Sequence, residues 1–240
     1  MNEKAHEPAP PGPASVVFGA ALPQAQRFVE LLTAAGVERG LIGPREVDRL
    51  WDRHLLNSAV VGERIPGNAR VVDLGSGAGL PGIPLILARP DLHVTMLEPM
   101  ARRVAWLEEV VDALSLSATV VRGRAEEPAI KQRLAGADVV IARAVAPLDR
   151  LWGWSAPLLR SGGRLVALKG ESAEAELARD GAAVTRTGGG HLAVERCGVG
   201  VLDVPTTIIE VERMTATGRE GNRGRRGHTG SRRAKKDQGH

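Results

Sequence analysis

The densest chemistry in this 240-residue chain lies in VVDLGSGAGLPGIP, residues 71–84, where Asp73 is followed by Gly75, Gly77, Gly79 and Gly82. Glycines at this spacing let a backbone turn sharply and approach a ligand where a Cβ would collide. When such a turn follows a strand of an open parallel sheet, it marks the crevice where nucleotide-type cofactors bind. Two patterns overlap here. Gly77, Gly79 and Gly82 make GxGxxG, the dinucleotide fingerprint, with Glu98 nineteen residues past Gly79, near where a ribose-binding carboxylate belongs. Gly75, Gly77 and Gly79 also make GxGxG behind an acidic strand end. Four glycines in eight positions exceed what a tight turn demands.

The elements that must position this loop follow from hydrophobic period. From Arg70 onward, short apolar runs (ARVVDLG, HVTMLE, ATVVRG, ADVVIAR, GRLVALKG) alternate with amphipathic segments predicted as helices over 83–88, 102–114, 148–159 and 171–182. Apolar strands without alternation, each followed by a helix, predict an α/β domain with a doubly wound parallel sheet covered on both faces. GGHLAVERCGVGV and PTTIIEVERM then read as a closing antiparallel hairpin. Upstream, Phe28, Leu31, Leu32 and Ala35 recur at helical spacing between Pro23 and Gly36. A second N-terminal helix is predicted from Pro44, with Val47, Leu50, Trp51, His54, Leu55 and Ser58 on one face. The division expected is a loose Pro- and Ala-rich leader over 1–19, a folded domain over 20–213, and a tail over 214–240.

Composition bounds the rest. The net charge of +4 is uneven: from Gly218 to His240 eight basic residues face two acidic ones, a local +6 that leaves the body slightly acidic. With one alanine as its only apolar residue, that tail cannot offset its ordering entropy by burial, and it reads as a disordered nucleic-acid-seeking arm or a solubilising extension. No apolar run has the roughly 18 to 20 residues a membrane span needs, and the first residues lack a secretory pattern, so a cytoplasmic protein is expected. The single Cys197 excludes an internal disulfide and a cysteine-based zinc cluster, and its place in ERCGV suits a small core residue.

The GxGxG loop with its carboxylates resembles that of Rossmann-like, class I, S-adenosylmethionine-dependent methyltransferases. In that class the loop wraps the methionine part of the cofactor and an acid ending the second strand binds the ribose hydroxyls; Asp73 and Glu98 match those positions. The electrostatics agree: S-adenosylmethionine carries an ammonium and a sulfonium, whereas a dinucleotide's pyrophosphate would be repelled by a nearby carboxylate. No aromatic follows a Pro-Pro pair to grip an exocyclic amine, and carbon methylation of a pyrimidine needs a cysteine nucleophile. An acceptor that is already nucleophilic, such as a ring nitrogen, remains.

The resemblance narrows through WDRHLLNSAV, VVDLGSGAGLPGIPLIL, RAEE, VVIARAVAPL and LVALKGES, which look like the bacterial ribosomal RNA small subunit methyltransferase G (glucose-inhibited division protein B) family over about residues 20–213. This resemblance implies a methyltransferase acting on N7 of a guanine in 16S ribosomal RNA, naked or in the small subunit, working as a monomer. It implies cofactor contacts by Gly75 and Leu80, an adenine held by Ala125 and Glu126, and Arg143 at the joint cofactor and acceptor site. Lys169, His54, Arg102 and Arg103 become candidates for RNA contact. Asn57 stands where the family's HLLDS carries a carboxylate. The residues also admit plainer roles: a surface ion pair for Arg143, a solvent-facing Lys169, a satisfied half-buried His54, a helix cap beside Glu126, and packing for Trp152 and Trp154. Two other classes stay open, an RNA-binding assembly factor without catalysis and a methyltransferase for a small molecule or protein.

Overall fold

The computed structural model describes residues 8–215. The basic tail lies outside the described residues except for Met214 and Thr215, as do residues 1–7 of the expected leader. Seven strands, β1 (Arg70–Leu74), β2 (His93–Glu98), β3 (Ala118–Arg122), β4 (Ala137–Arg143), β5 (Leu159–Leu168), β6 (Gly189–Cys197) and β7 (Thr206–Arg213), form one sheet in the order β3-β2-β1-β4-β5-β7-β6. The first five run parallel, and β7 and β6 close the edge antiparallel. Because β1 pairs with β2 on one side and β4 on the other, the chain reverses its winding between β1 and β4. That switch point opens the crevice of such sheets.

Alternate residues of the buried strands feed two separate cores. Val71, Val94, Met96, Val139, Ile141 and Val166 face one core, completed by α1 (Gly12–Phe18), α2 (Leu22–Ala35), α4 (Gly82–Ala88) and α5 (Ala101–Ala113). Val72, Leu97, Val140, Ala142, Leu165 and Ala167 face the other, under α6 (Pro128–Leu134), α7 (Leu148–Ser155) and α8 (Ala173–Arg186). Burial on both faces is the physical reason these strands read as continuous apolar runs. Trp152 is fully buried in the second core and Trp154 packs against it. Cys197 is buried too, and desolvation pushes its thiol up to about 12, so it is no nucleophile.

Three expectations need correction. The loose leader ends earlier than residue 19: Gly12–Phe18 is α1, with Ala14 and Phe18 buried. Phe18 meets Trp51 edge-on at 6.3 Å between ring centroids, and the Trp51 indole donates to the Pro8 carbonyl at 2.7 Å. A seven-residue helix shows no periodic pattern and is stabilised by this tertiary burial rather than by propensity. The segment from Pro44 is not one α-helix. It winds as a 3-10 turn (Pro44–Arg49), a π turn (Leu50–Leu56), the short α3 (Asn57–Ala59) and a second 3-10 turn (Val60–Arg64). The predicted helix over 148–159 stops at Ser155 because Leu159 already pairs with Ala137 as the start of β5.

Candidate functional site

A cavity of about 680 Å³ opens over the switch point, between the loop after β1 and the end of β4. Its walls come from the glycine loop (Gly75, Ser76, Gly77, Ala78, Leu80), the β2 end (Glu98, Pro99, Met100), the β4 end (Arg143, Ala144, Val145), Arg103 and Arg124, and the N-terminal segment (Leu41, Ile42, Gly43, Glu46, Arg53, His54). A volume of this size suits a small-molecule cofactor, for which sites run from about 300 to 1,000 Å³.

The loop holds its shape by internal bonds. Gly75, Gly77 and Gly79 all have positive φ, at 76°, 56° and 97°, a backbone that side-chain-bearing residues resist. The amides of Gly75 and Ser76 donate to the Leu97 carbonyl at 2.8 and 3.2 Å, and those of Gly79 and Leu80 to the Ser76 carbonyl at 2.7 and 3.1 Å. Glu98 accepts the Gly77 amide at 2.9 Å with one carboxylate oxygen and the Met100 amide at 2.9 Å with the other. The Trp106 indole pins the loop from α5 by donating to the Ala78 carbonyl at 3.1 Å. With these amides turned inward, the loop is not the concave ring of free N–H groups that cradles a phosphate. What it presents is a carboxylate that retains spare lone pairs, a floor for a ligand with cationic or hydroxyl donors. The donor set fits S-adenosylmethionine better than a dinucleotide.

Asp73 does not face the cavity, which corrects the expectation that both carboxylates touch the ligand. It is fully buried beneath the loop, where it accepts the Gly82 amide at 3.1 Å, and its other oxygen has no partner among the described residues. A Cβ on Gly82 would stand 2.6 Å from that carboxylate, so a glycine is required at the start of α4. Burial pushes the Asp73 carboxyl up to about 7 although the Ser76 hydroxyl and Gly82 amide pull it down. Gly79 also turns away from the cavity: a Cβ there would lie 2.3 Å from the Ile83 side chain.

Arg143 ends β4 at the cavity but is not free at an open face. Its guanidinium reaches back into the N-terminal segment and donates to His54 Nδ1 at 2.6 Å, to the carbonyls of Arg53 and His54 at 3.2 and 3.4 Å, and to the Ser58 hydroxyl at 3.3 Å. The carbonyls it meets belong to the last turn of the π segment, and that of His54 also accepts the Asn57 amide. Burial lowers its pKa to about 10, and Arg53 adds to the effect, yet it stays charged at neutral pH. The next residue, Ala144, has a positive φ of 52°, a strained backbone of the kind found at functional sites.

The remaining candidates divide. His54 and Arg103 line the cavity with Gly75, Gly77, Leu80, Glu98 and Arg143, and His54 is also the satisfied, buried histidine of the plainer reading. Ala125 is buried in the second core and Glu126 is exposed, neither on the cavity wall, whereas their neighbour Arg124 is on it. The helix-cap alternative fails as well: Glu127 occupies the cap of α6 without a side-chain capping bond. Arg102 is exposed outside the cavity. Lys169 lines a separate 400 Å³ cavity, and its ammonium is engaged by Glu176 at 2.8 Å and the Ala146 carbonyl at 3.0 Å. Asn57 faces away, toward a cavity lined by Asp203 and Val204, with its carbonyl accepting from Thr206 at 3.3 Å. Sequence reasoning missed Glu46, Arg53, Arg124 and Val145. Only their shared approach to the crevice, a tertiary property, marks them.

A family model described as rRNA small subunit methyltransferase G matches residues 21–203. A curated protein named ribosomal RNA small subunit methyltransferase G from Mycobacterium sp. (strain KMS) is 55% identical over 217 residues, covering 90% of this chain and 96% of its own. A protein of the same name from Rhodococcus jostii (strain RHA1) is 56% identical over 198 residues, covering 82% of this chain and 87% of its own. Among solved structures, the CurJ carbon methyltransferase superposes with a TM-score of 0.53 at 14% identity, covering 84% of this chain and 68% of that one. A predicted O-methyltransferase from Agrobacterium tumefaciens gives 0.52 at 18%, covering 69% and 82%. At such identities these structures share the α/β Rossmann-like fold and nothing narrower.

Proposed function

This chain belongs to the rRNA small subunit methyltransferase G family, and from that premise we propose that it transfers the methyl group of S-adenosylmethionine to N7 of a guanine in 16S ribosomal RNA. The observation that carries the cofactor assignment is the floor of the cavity, where the loop amides are spent internally and Glu98 supplies a carboxylate. S-adenosylmethionine supplies an electrophilic methyl group on a sulfonium.

In this reading Gly75, Gly77 and Leu80 form the wall against the cofactor, and Glu98 accepts from its ribose hydroxyls with lone pairs that the two amides leave free. A guanine N7 is a nucleophile with its own lone pair, so the protein need not remove a proton from it. The site matches that demand: His54 has both ring nitrogens engaged, by Arg143 and Glu46, and serves no acceptor as a base. Arg53, Arg103, Arg124 and Arg143 give the cavity a cationic rim, suited to the phosphates that flank the target nucleotide. Alignment and exclusion of water do the rest.

The substrate is ribosomal RNA or the small subunit, and the protein works in the cytoplasm as a monomer, with the basic tail adding sequence-independent RNA affinity. No helix among the described residues is long and apolar enough to cross a membrane. Mass spectrometry of 16S ribosomal RNA from cells with and without the protein tests the proposal. One guanine should lose its methyl group on deletion and regain it on incubation of small subunits with the purified protein and S-adenosylmethionine. An unchanged methylation pattern, with RNA binding intact, would instead favour a non-catalytic assembly role.

A further inference from the structure

Arg143 is held by a chain of side chains that spans three elements, the 3-10 turn at 44–49, the π turn at 50–56 and β4. Its Nη2 donates to His54 Nδ1 at 2.6 Å, and His54 Nε2 lies 2.6 Å from Glu46 Oε2, at the mouth of the same cavity. Arginine has five donors and no acceptor, so the first contact exists only if Nδ1 carries a lone pair. The ring proton is then on Nε2, donated to Glu46. His54 is thereby fixed as one neutral tautomer by partners on both sides. From this geometry we infer that Glu46 and His54 are positioning residues for methyl transfer, acting through Arg143, and that the site is assembled only while His54 is neutral.

The inference rests on Arg143 serving the methyltransferase site described above. A proton added at Nδ1 would set two donors head to head at 2.6 Å and take the shortest of the guanidinium's four contacts from it, loosening its hold on the N-terminal segment. The charged groups facing His54 are Glu46 from the 3-10 turn, Arg53 from its own turn and Arg143 from β4. Burial and the two arginines oppose the imidazolium, and Glu46 favours it; the net effect lowers the histidine below its ordinary 6.5. The relay therefore stays intact at neutral pH and opens on acidification.

Two measurements on the full-length protein test this. Nitrogen-15 NMR of the imidazole should show the Nε2–H tautomer at pH 7 and a pKa below 6.5, rising in Arg143→Met because the cation beside it is gone. Steady-state methyl transfer to small subunits should distinguish isosteres: His54→Asn places an amide oxygen where Nδ1 was, whereas His54→Phe fills the space without an acceptor. His54→Phe should lower kcat by about 10-fold or more through lost alignment, and His54→Asn should recover to within about 3-fold and flatten the acid limb of the pH profile. A charged imidazole or the Nδ1–H tautomer at pH 7 would overturn the inference. So would a folded His54→Asn variant as inactive as His54→Phe, or an acid limb that it leaves unchanged. If His54→Phe does not fold, the tautomer and the His54→Asn profile decide. A wild-type protein that leaves ribosomal RNA unmethylated would overturn the functional reading instead, and the NMR result would still stand or fall on its own.

Discussion

Glu98 joins the end of β2 to the glycine loop after β1 by accepting the Gly77 amide at 2.9 Å, while its second oxygen accepts the Met100 amide at 2.9 Å. One carboxylate thus shapes the loop and lines the cavity it encloses. Glu98→Ala should leave two half-buried amides without their carboxylate acceptor and cost about 1 to 2 kcal/mol of stability. Glu98→Gln should be nearly as harmful, since one amide oxygen cannot serve both donors. Calorimetric titration should show S-adenosylmethionine, or its demethylated product, binding to the wild type, weakened about 10-fold or more in both variants by the lost ribose contacts. Equal binding of NAD by the wild type would speak for the dinucleotide pattern.

Asp73 sets a pH dependence of the opposite sign to that of an ordinary carboxylate. Its carboxyl holds a proton up to about 7 in the fold against 3.8 for an unperturbed aspartate. Between those values the folded state binds the extra proton, so stability falls as pH rises, by about 1.4 kcal/mol per unit for one proton. Asp73→Asn, which has no proton to lose, should remove that slope. Urea titrations from about pH 4 to 7 measure it, and parallel curves for the two proteins would show that Asp73 is ionised throughout.

Gly79→Ala should be destabilising although the change adds a single methyl. Its φ is 97°, and the new Cβ would sit 2.3 Å from the Ile83 side chain of α4. Left-handed strain and overpacking together predict a loss of about 2 to 4 kcal/mol, visible as a lower melting temperature. Gly153→Ala, in α7 with open space around its Cβ position, is the control and should be neutral or slightly stabilising.

Arg143→Ala should lower methyl transfer by roughly 100-fold or more through lost alignment. The strand pattern alone makes Arg143 an edge residue whose loss leaves stability almost unchanged. The structure revises this: four acceptors converge on the guanidinium, so truncation should also cost about 1 to 3 kcal/mol. Lysine should rescue poorly, because a point charge cannot span those acceptors. Near-full activity at saturating RNA and cofactor would remove Arg143 from the site.

Truncation after Met214 should leave cofactor affinity and melting temperature unchanged while weakening RNA binding and flattening its dependence on salt, because cationic residues that displace counterions from phosphates would be gone. An unaltered salt slope would reduce the tail to a solubilising extension.

Residue order dictates the part of this protein that is written locally. Strands buried on both faces must be apolar, so β1, β2, β4 and the second half of β5 and most of the helices between the strands are legible from Arg70 onward, and positive φ favours glycine, so the loop at 75–79 announces itself. The family is legible in the same way, from contiguous motifs. Docking of distant elements decides which side of the loop each carboxylate occupies: Asp73 and Glu98 are both acids at or near a strand end, yet one is sealed beneath the loop and the other lines the cavity. It also decides the fate of Arg143, because its acceptors at Arg53, His54 and Ser58 lie 85 to 90 residues away in a segment whose π winding no local pattern encodes. Spacing and period carry only the residue types that such docking will use, since the contacts themselves form between segments that share no local pattern.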